Sequence, residues 1–244
     1  MKKGDATESM QTLGVTIIIP AYNEERTVGP VISNTISIMD GMNVPYEILV
    51  VDDGSTDKTR LVASRYKVRV LSNEKNCGKG YSLRRAIQNS NGEIIVTIDS
   101  DGEHKPKEIP DLIEPLFNGT DIVAGSRFIG NQRRATTKIN LLGNFLFNAT
   151  IMALTGKVVT DSQTGFRAIK KHVLETLNLE SDGYEIEAEI TVKGLRNGFV
   201  FEEKPITVER RKYNLSKLKL LSDGTRILRT ILKASFAKIK HFPD

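Results

Sequence analysis

The chain has 244 residues, 39% of them hydrophobic, which suits one large domain with a tail and neither a disordered nor a fibrous protein. Its formal net charge of +5 is uneven: residues 204–244 hold 11 Lys and Arg against 3 Asp and Glu, a local +8, while residues 1–203 hold 24 against 27, a local −3. A uniformly basic nucleic-acid binder does not separate its charge in this way, and no nucleic-acid partner is expected. The single cysteine, Cys77, excludes an internal disulfide framework and favours a reducing, cytoplasmic compartment.

Residues 1–13 are polar and lack the apolar centre of a signal peptide, so they read as a flexible N-terminus. Val15–Ile19 is a β-branched run ended by Pro20, the pattern of a strand buried on both faces. Arg26–Met39 has apolar residues at helical spacing, and Glu47–Val51 is a second buried strand. Asp52–Asp57 is turn chemistry leading into a helix near Thr59–Tyr66. A strand over Val68–Leu71, a helix over Gly80–Asn89, a strand over Ile94–Ile98, a helix over Pro106–Phe117 and a strand over Asp121–Ala124 follow. This alternation predicts a doubly wound α/β sheet with ligands at the carboxyl ends of its strands.

Beyond Phe128 the pattern changes. Thr137–Leu154 reads as an apolar helix or helix pair, but Gly143, Asn144, Asn148 and Thr150 interrupt it. No apolar run reaches the roughly 18 to 20 residues a spanning helix needs. Asp161–Lys170 reads as a polar, Gly-containing segment, Tyr184–Arg196 as a helix, and Phe199–Val208 as a strand that Pro205 assigns to a sheet edge. From Asp223, read as an N-cap, apolar residues at Ile227, Leu228, Ile231, Leu232, Phe236, Ile239 and Phe242 form one helical face among Arg226, Arg229, Lys233, Lys238 and Lys240. An apolar stripe with basic flanks suits a helix lying in a membrane interface, and it suits equally a helix packed on the body.

The sharpest chemical feature is Asp99-Ser100-Asp101-Gly102-Glu103 directly after the fourth strand. Three carboxylates this close repel one another unless a cation sits among them, and an all-oxygen set suits Mg²⁺ or Mn²⁺ rather than zinc. Pro20-Ala21-Tyr22-Asn23-Glu24-Glu25 and Val51-Asp52-Asp53-Gly54-Ser55 fall at the ends of the first two strands, where carboxylates can accept bonds from a base or a ribose. Asn76-Cys77-Gly78-Lys79-Gly80 opens a helix, where backbone amides attract phosphate and Lys79 adds a point charge. Its spacing matches neither a P-loop nor a dinucleotide fingerprint.

These four segments, in this order from about Val15 to Phe128, resemble glycosyltransferase family 2 with its GT-A fold. Gly125-Ser126-Arg127-Phe128, Asp161-Ser162-Gln163-Thr164-Gly165-Phe166-Arg167 and Arg211-Lys212-Tyr213-Asn214-Leu215-Ser216-Lys217-Leu218 are similar to the dolichyl-phosphate mannose and glucose synthase branch. The resemblance implies a GT-A domain over residues 14–210 and a basic, membrane-associating segment over residues 211–244. It implies nucleotide contacts from Pro20, Tyr22, Glu24, Asp52 and Asp53, and metal ligation by Asp99, Asp101 and Glu103, the last standing where many relatives carry Gln. Arg127, Arg211 and one of Arg133, Arg134 or Lys138 would contact phosphate. The implied reaction is inverting transfer of a hexose (Glc, GlcNAc or Man) from a UDP- or GDP-sugar to a polyprenyl phosphate, on the cytoplasmic face of a membrane touched peripherally. Many relatives add spanning helices after this region, and here the chain ends without them. A hydroxyl acceptor, or a non-catalytic nucleotide-binding scaffold, are the rival readings. Processive polysaccharide synthases are excluded, because their Q-x-x-R-W signature needs a Trp and the chain has none.

Overall fold

A computed structural model describes residues 14–129, 138–209, 213 and 220–237. Seven strands form one sheet in the order β3-β2-β1-β4-β6-β5-β7. They are β1 (Val15–Ala21), β2 (Tyr46–Asp52), β3 (Arg69–Ser72), β4 (Ile94–Thr97), β5 (Ile122–Ser126), β6 (Arg167–Lys170) and β7 (Phe201–Pro205). The helices are α1 (Val28–Met42), α2 (Thr59–Ala63), α3 (Lys79–Gln88), α4 (Ile109–Ile113), α5 (Lys138–Thr155), α6 (Lys171–Thr176), α7 (Ile186–Arg196) and α8 (Leu220–Phe236). All pairings are parallel except those of β6, which runs antiparallel to both β4 and β5. The result is the expected mixed, mostly parallel sheet flanked by helices.

Buried strands show why the first half reads so clearly. Ile17, Ile19, Ile48, Val50, Ile94 and Val96 enter a core on one face, packed under α1 and α4. Ile18, Leu49, Val51 and Ile95 enter a second core on the other, under α3 and α7. Both faces are covered, so consecutive residues are apolar and the period-two alternation of a half-exposed strand disappears. β1 also runs through Pro20 rather than stopping at it. The Ile18 carbonyl faces β4, and Pro20, two residues on, would point its missing N–H the same way, past the last β4 pairing at Ile18. Its lost donor is therefore never needed.

Three segments differ from the sequence expectation. The helix expected over Pro106–Phe117 is a 3₁₀ turn, the short α4 and a second 3₁₀ turn. Pro110 and Pro115 lack the N–H that a continuous α-helix would require. Within the segment expected to be irregular, Arg167–Lys170 is a central strand, concealed because its first residue is a charged side chain. Asp223 lies inside α8 rather than capping it. That helix packs through Ile227, Ile231 and Ala234 on a third core with Ile151 of α5 and Ala188 and Val192 of α7. β7 does lie at the sheet edge, as Pro205 predicts.

Candidate active site

The ends of β1, β2, β4 and β5 bring the expected segments to one edge of the sheet, beside the start of β6. The loops after β1 and β2 are laced together. Asn23 N donates to Ser55 Oγ at 2.9 Å, Thr56 N to Asn23 Oδ1 at 2.8 Å, and Glu24 N to Thr59 Oγ1 at 2.7 Å. Asn23 has a φ of 52°, in the left-handed region that asparagine tolerates. Glu24 is buried and accepts from Thr27 Oγ1 at 2.8 Å, and Asp52 is buried and accepts from Ser55 N at 3.3 Å. Pro20 and Tyr22 are half-buried on the same rim.

Asp53, expected as a nucleotide contact, also ties β2 to the segment that opens α3. Its carboxylate takes Asn73 Nδ2 at 2.6 Å, Cys77 N at 2.9 Å and Gly78 N at 2.8 Å. Tyr81 N donates to the Asp182 carbonyl at 3.1 Å. The amides at 77, 78 and 81 are thus satisfied by Asp53 and Asp182. The segment around Asp182 presses so close that a methyl group on Gly78 or Gly80 would overlap the carbonyls of Asp182 or Ser181.

Lys79 is turned the other way, into the site. Its Nζ lies 2.5 Å from Asp99 Oδ1 and 2.7 Å from Glu187 Oε1 on α7. Burial alone would push the Lys79 ammonium down, but the charges of Asp99 and Glu187 outweigh it and hold the group above the ordinary lysine value. Burial pushes the Glu187 carboxyl up, against the opposing pull of Lys79. Asp101 Oδ1 accepts from Glu103 N at 3.0 Å and so shapes the carboxylate loop. His104 is buried against the Phe166 ring at a centroid distance of 5.4 Å, its Nδ1 3.8 Å from Asp99 Oδ2. Burial pushes His104 down, favouring its neutral form. At the end of β5, Arg127 binds Asp161 bidentately, Nε to Oδ2 at 2.6 Å and Nη2 to Oδ1 at 2.8 Å. Phe128 and Thr160, next to that pair in sequence, help to line an apolar cavity of about 520 Å³ against Phe145, Asn148 and Met152 of α5.

A carboxylate-rich loop, a buried lysine and an anchored arginine at the carboxyl ends of parallel strands fit a diphosphate-leaving-group site. Over residues 16–177 the chain matches the family described as glycosyl transferase family 2. This chain is a family 2 glycosyltransferase. A dolichol-phosphate mannosyltransferase of Pyrococcus furiosus is 33% identical over 84% of the chain, which spans 59% of that enzyme's length. A UDP-N-acetylglucosamine–dolichyl-phosphate N-acetylglucosaminyltransferase of Methanococcus voltae is 28% identical over 92% of the chain and 97% of the relative. In three dimensions, a glucosyl-3-phosphoglycerate synthase of Mycobacterium tuberculosis, solved with Mn²⁺, UDP and phosphoglyceric acid, superposes with a TM-score of 0.77 at 25% identity. That likeness covers 98% of this chain and 83% of the synthase.

The donor set of this family 2 enzyme fits a divalent cation of the Mg²⁺ type. Among the described residues no three Asp, Glu, His or Cys side chains converge tightly enough to hold an ion alone. Mg²⁺ rarely uses such a cage; it takes one or two carboxylates and completes its shell with substrate phosphates and water. Asp99 and Asp101 at the end of β4 match that need. Arg211, Arg133 and Arg134 lie outside the described residues, and the side chain of Lys138 does too. Tyr213, two residues beyond Arg211, sits with its ring 5.6 Å from the Arg26 guanidinium beside the β1 loop.

Sequence reasoning assigned no individual role to Glu187, His104 or Arg167, although Arg167 closes the Asp161–Arg167 motif. Arg167 is fully buried and donates to the Thr164 and Ser162 carbonyls and to Thr191 Oγ1, each at 2.8 Å. Gly165 offers a direct probe of the site. A methyl group there would stand 2.5 Å from Lys79 Nζ and 2.6 Å from Asp99 Oδ2. Both obstacles are ends of side chains, so the fold can adjust while the ion pair cannot stay as it is. Gly165→Ala is expected to leave the melting temperature within about 3 °C of wild type and to lower kcat/KM for the sugar donor by roughly 10- to 100-fold, checked by thermal denaturation and initial rates.

Proposed function

We propose that the enzyme transfers a hexose, with inversion, from a UDP- or GDP-sugar to a polyprenyl phosphate. The observation that carries this reading is the Arg127–Asp161 pair beside the apolar cavity along α5, with the charges of Asp99 and Glu103 acting on Arg127. It sets an anchored cation for an acceptor phosphate against an apolar wall for an isoprenoid chain. A phosphate monoester has a second pKa of about 6, so it arrives largely dianionic and needs positioning rather than a general base. The names of the Pyrococcus and Methanococcus relatives supply the same acceptor class.

In this reading Glu24, Asp52, Tyr22 and Pro20 hold the nucleotide, and Asp99, Asp101 and Glu103 hold Mg²⁺ or Mn²⁺. The bound cation would supply Lewis-acid neutralisation of the departing diphosphate. Lys79 adds a fixed positive charge beside that leaving group. Arg127, kept in orientation by Asp161, directs the acceptor oxygen at the sugar carbon, with Arg211 assigned the same task from the sequence resemblance.

A panel of UDP-Glc, UDP-GlcNAc and GDP-Man, each with a short polyprenyl phosphate and with or without Mn²⁺, tests the proposal. Metal-dependent formation of a lipid-linked sugar from one donor is the expected result. A second acceptor, 3-phosphoglycerate, belongs in the same panel because the structural neighbour was solved with it. Transfer to that acceptor alone overturns the lipid reading.

Membrane contact at the periphery is part of this proposal. No helix among the described residues is long and apolar enough to cross a membrane. Leu142, Phe145, Leu146 and Met152 of α5, with Val158 just beyond it and Phe236 at the end of α8, are exposed. An apolar surface of this kind suits the headgroup boundary. Removing α8 outright would strip the core around Ile227 and Ile231, so point changes are the cleaner test. Phe145→Ser with Leu146→Ser is expected to reduce sedimentation with anionic vesicles at least about 5-fold and to raise KM for the polyprenyl phosphate without changing KM for the donor.

A further inference from the structure

Glu187 is a buried carboxylate for which the sugar-transfer reading has so far no use. It is the second residue of α7, between the core residues Ile186 and Ala188, and only 3% exposed. Among the described residues the cation closest to its oxygens is Lys79, and the charge of the fully buried Arg167 also acts on it. A buried ion pair contributes little net stability, and an aliphatic side chain would fill the same space at least as well. A charge at this position helps to compensate buried Arg167 and acts at closer range on Lys79. That lysine is held at nearly equal distances from two carboxylates, 2.5 Å from Asp99 and 2.7 Å from Glu187.

We infer that Glu187 is a positioning residue that shares the charge of Lys79 and so keeps Asp99 available to the divalent cation. The inference rests on the metal–diphosphate reading of the β4 loop. Asp99, Glu187 and Lys79 together carry a net charge of −1. With a neutral side chain at 187 the remaining pair carries none, and Lys79 directs its charge at Asp99 without a competing carboxylate from α7. An incoming dication must then compete with an undivided ion pair and loses the long-range attraction of the third charge. With Glu187 present, Lys79 retreats onto α7 without leaving the site, where its charge still faces the diphosphate.

The experiment is calorimetric titration of Mn²⁺ into the full chain with saturating UDP. Glu187→Gln is expected to raise the Mn²⁺ Kd about 10-fold, with kcat at saturating Mn²⁺ within about 3-fold of wild type. Glu189→Gln is the control: it lies on the same helix, equally buried, with its carboxylate tied to Glu180 N, Ser181 N and Lys193. It should lower the melting temperature and leave the Mn²⁺ Kd unchanged. Should Glu187→Gln fail to fold, Glu187→Asp carries the test, because it keeps the charge but withdraws it by one methylene, and the Kd should rise about 3-fold. An unchanged Kd in the folded variant overturns the inference. Failure of the wild-type chain to bind Mn²⁺ with UDP overturns the metal reading and the inference with it.

Discussion

Asp101→Asn is expected to cost the enzyme roughly 10²- to 10³-fold in kcat while the melting temperature stays within about 2 °C of wild type. Asp101 is 9% exposed and its Oδ1 accepts from Glu103 N at 3.0 Å. An asparagine oxygen can keep that bond, so the loop retains its shape. The charge disappears, and with it one of the few anionic oxygens that the β4 loop offers a dication. Alanine would lose both the bond and the charge and would not separate structure from chemistry. Initial rates across a Mn²⁺ titration, read beside thermal denaturation, make the distinction. A variant that turns over at wild-type rate would remove Asp101 from the metal set, and the reading of the β4 loop with it.

Asp161→Ala should be the most destabilising single change at the site, by about 3 kcal/mol and roughly 10 °C in melting temperature. Asp161 is wholly buried and takes two side-chain bonds and one backbone bond from Arg127. Its own N–H donates to Glu203 Oε1 on β7 at 2.8 Å. The charge of Arg167 lies near as well, so removing Asp161 leaves two buried guanidiniums with less compensation. The figure stays at the low end of the range for broken buried pairs because the Arg127 side chain is 23% exposed and water can rescue part of its charge. Arg127→Lys is the functional companion. It keeps the charge but loses the fork that matches a carboxylate bidentately, so it should raise KM for the polyprenyl phosphate about 10-fold with a much smaller loss of stability. Denaturation midpoints and acceptor titrations check the two halves separately.

The difference between these two residues mirrors what was legible beforehand. Asp101 stands out in the sequence because three carboxylates follow a buried strand within five residues, a local pattern. Arg127 was readable as a charged residue at a strand end, but its partner lies 34 residues on, beyond α5, and only folding joins them. Asp53 shows the opposite case. From sequence it is one more carboxylate at a strand end, equal to Asp52. In the fold it is the clip that fastens β2 to the start of α3, because that helix happens to begin within reach of its oxygens.

Sequence alone determined the buried parallel strands, the helices between them apart from Pro106–Phe117, the edge position of Phe201–Pro205 and the place of the carboxylate loop. All of these depend on periodicity, turn residues and proline, which act within a few residues of the chain. Only the tertiary structure decided that Arg167–Lys170 is an antiparallel strand between β4 and β5, that Lys79 pairs with Asp99 and Glu187, and that the inner face of α8 lies on the body. Each of those outcomes is a pairing between segments distant in the chain. Buried charges choose their partners by proximity after the chain has closed, and no local pattern encodes that choice.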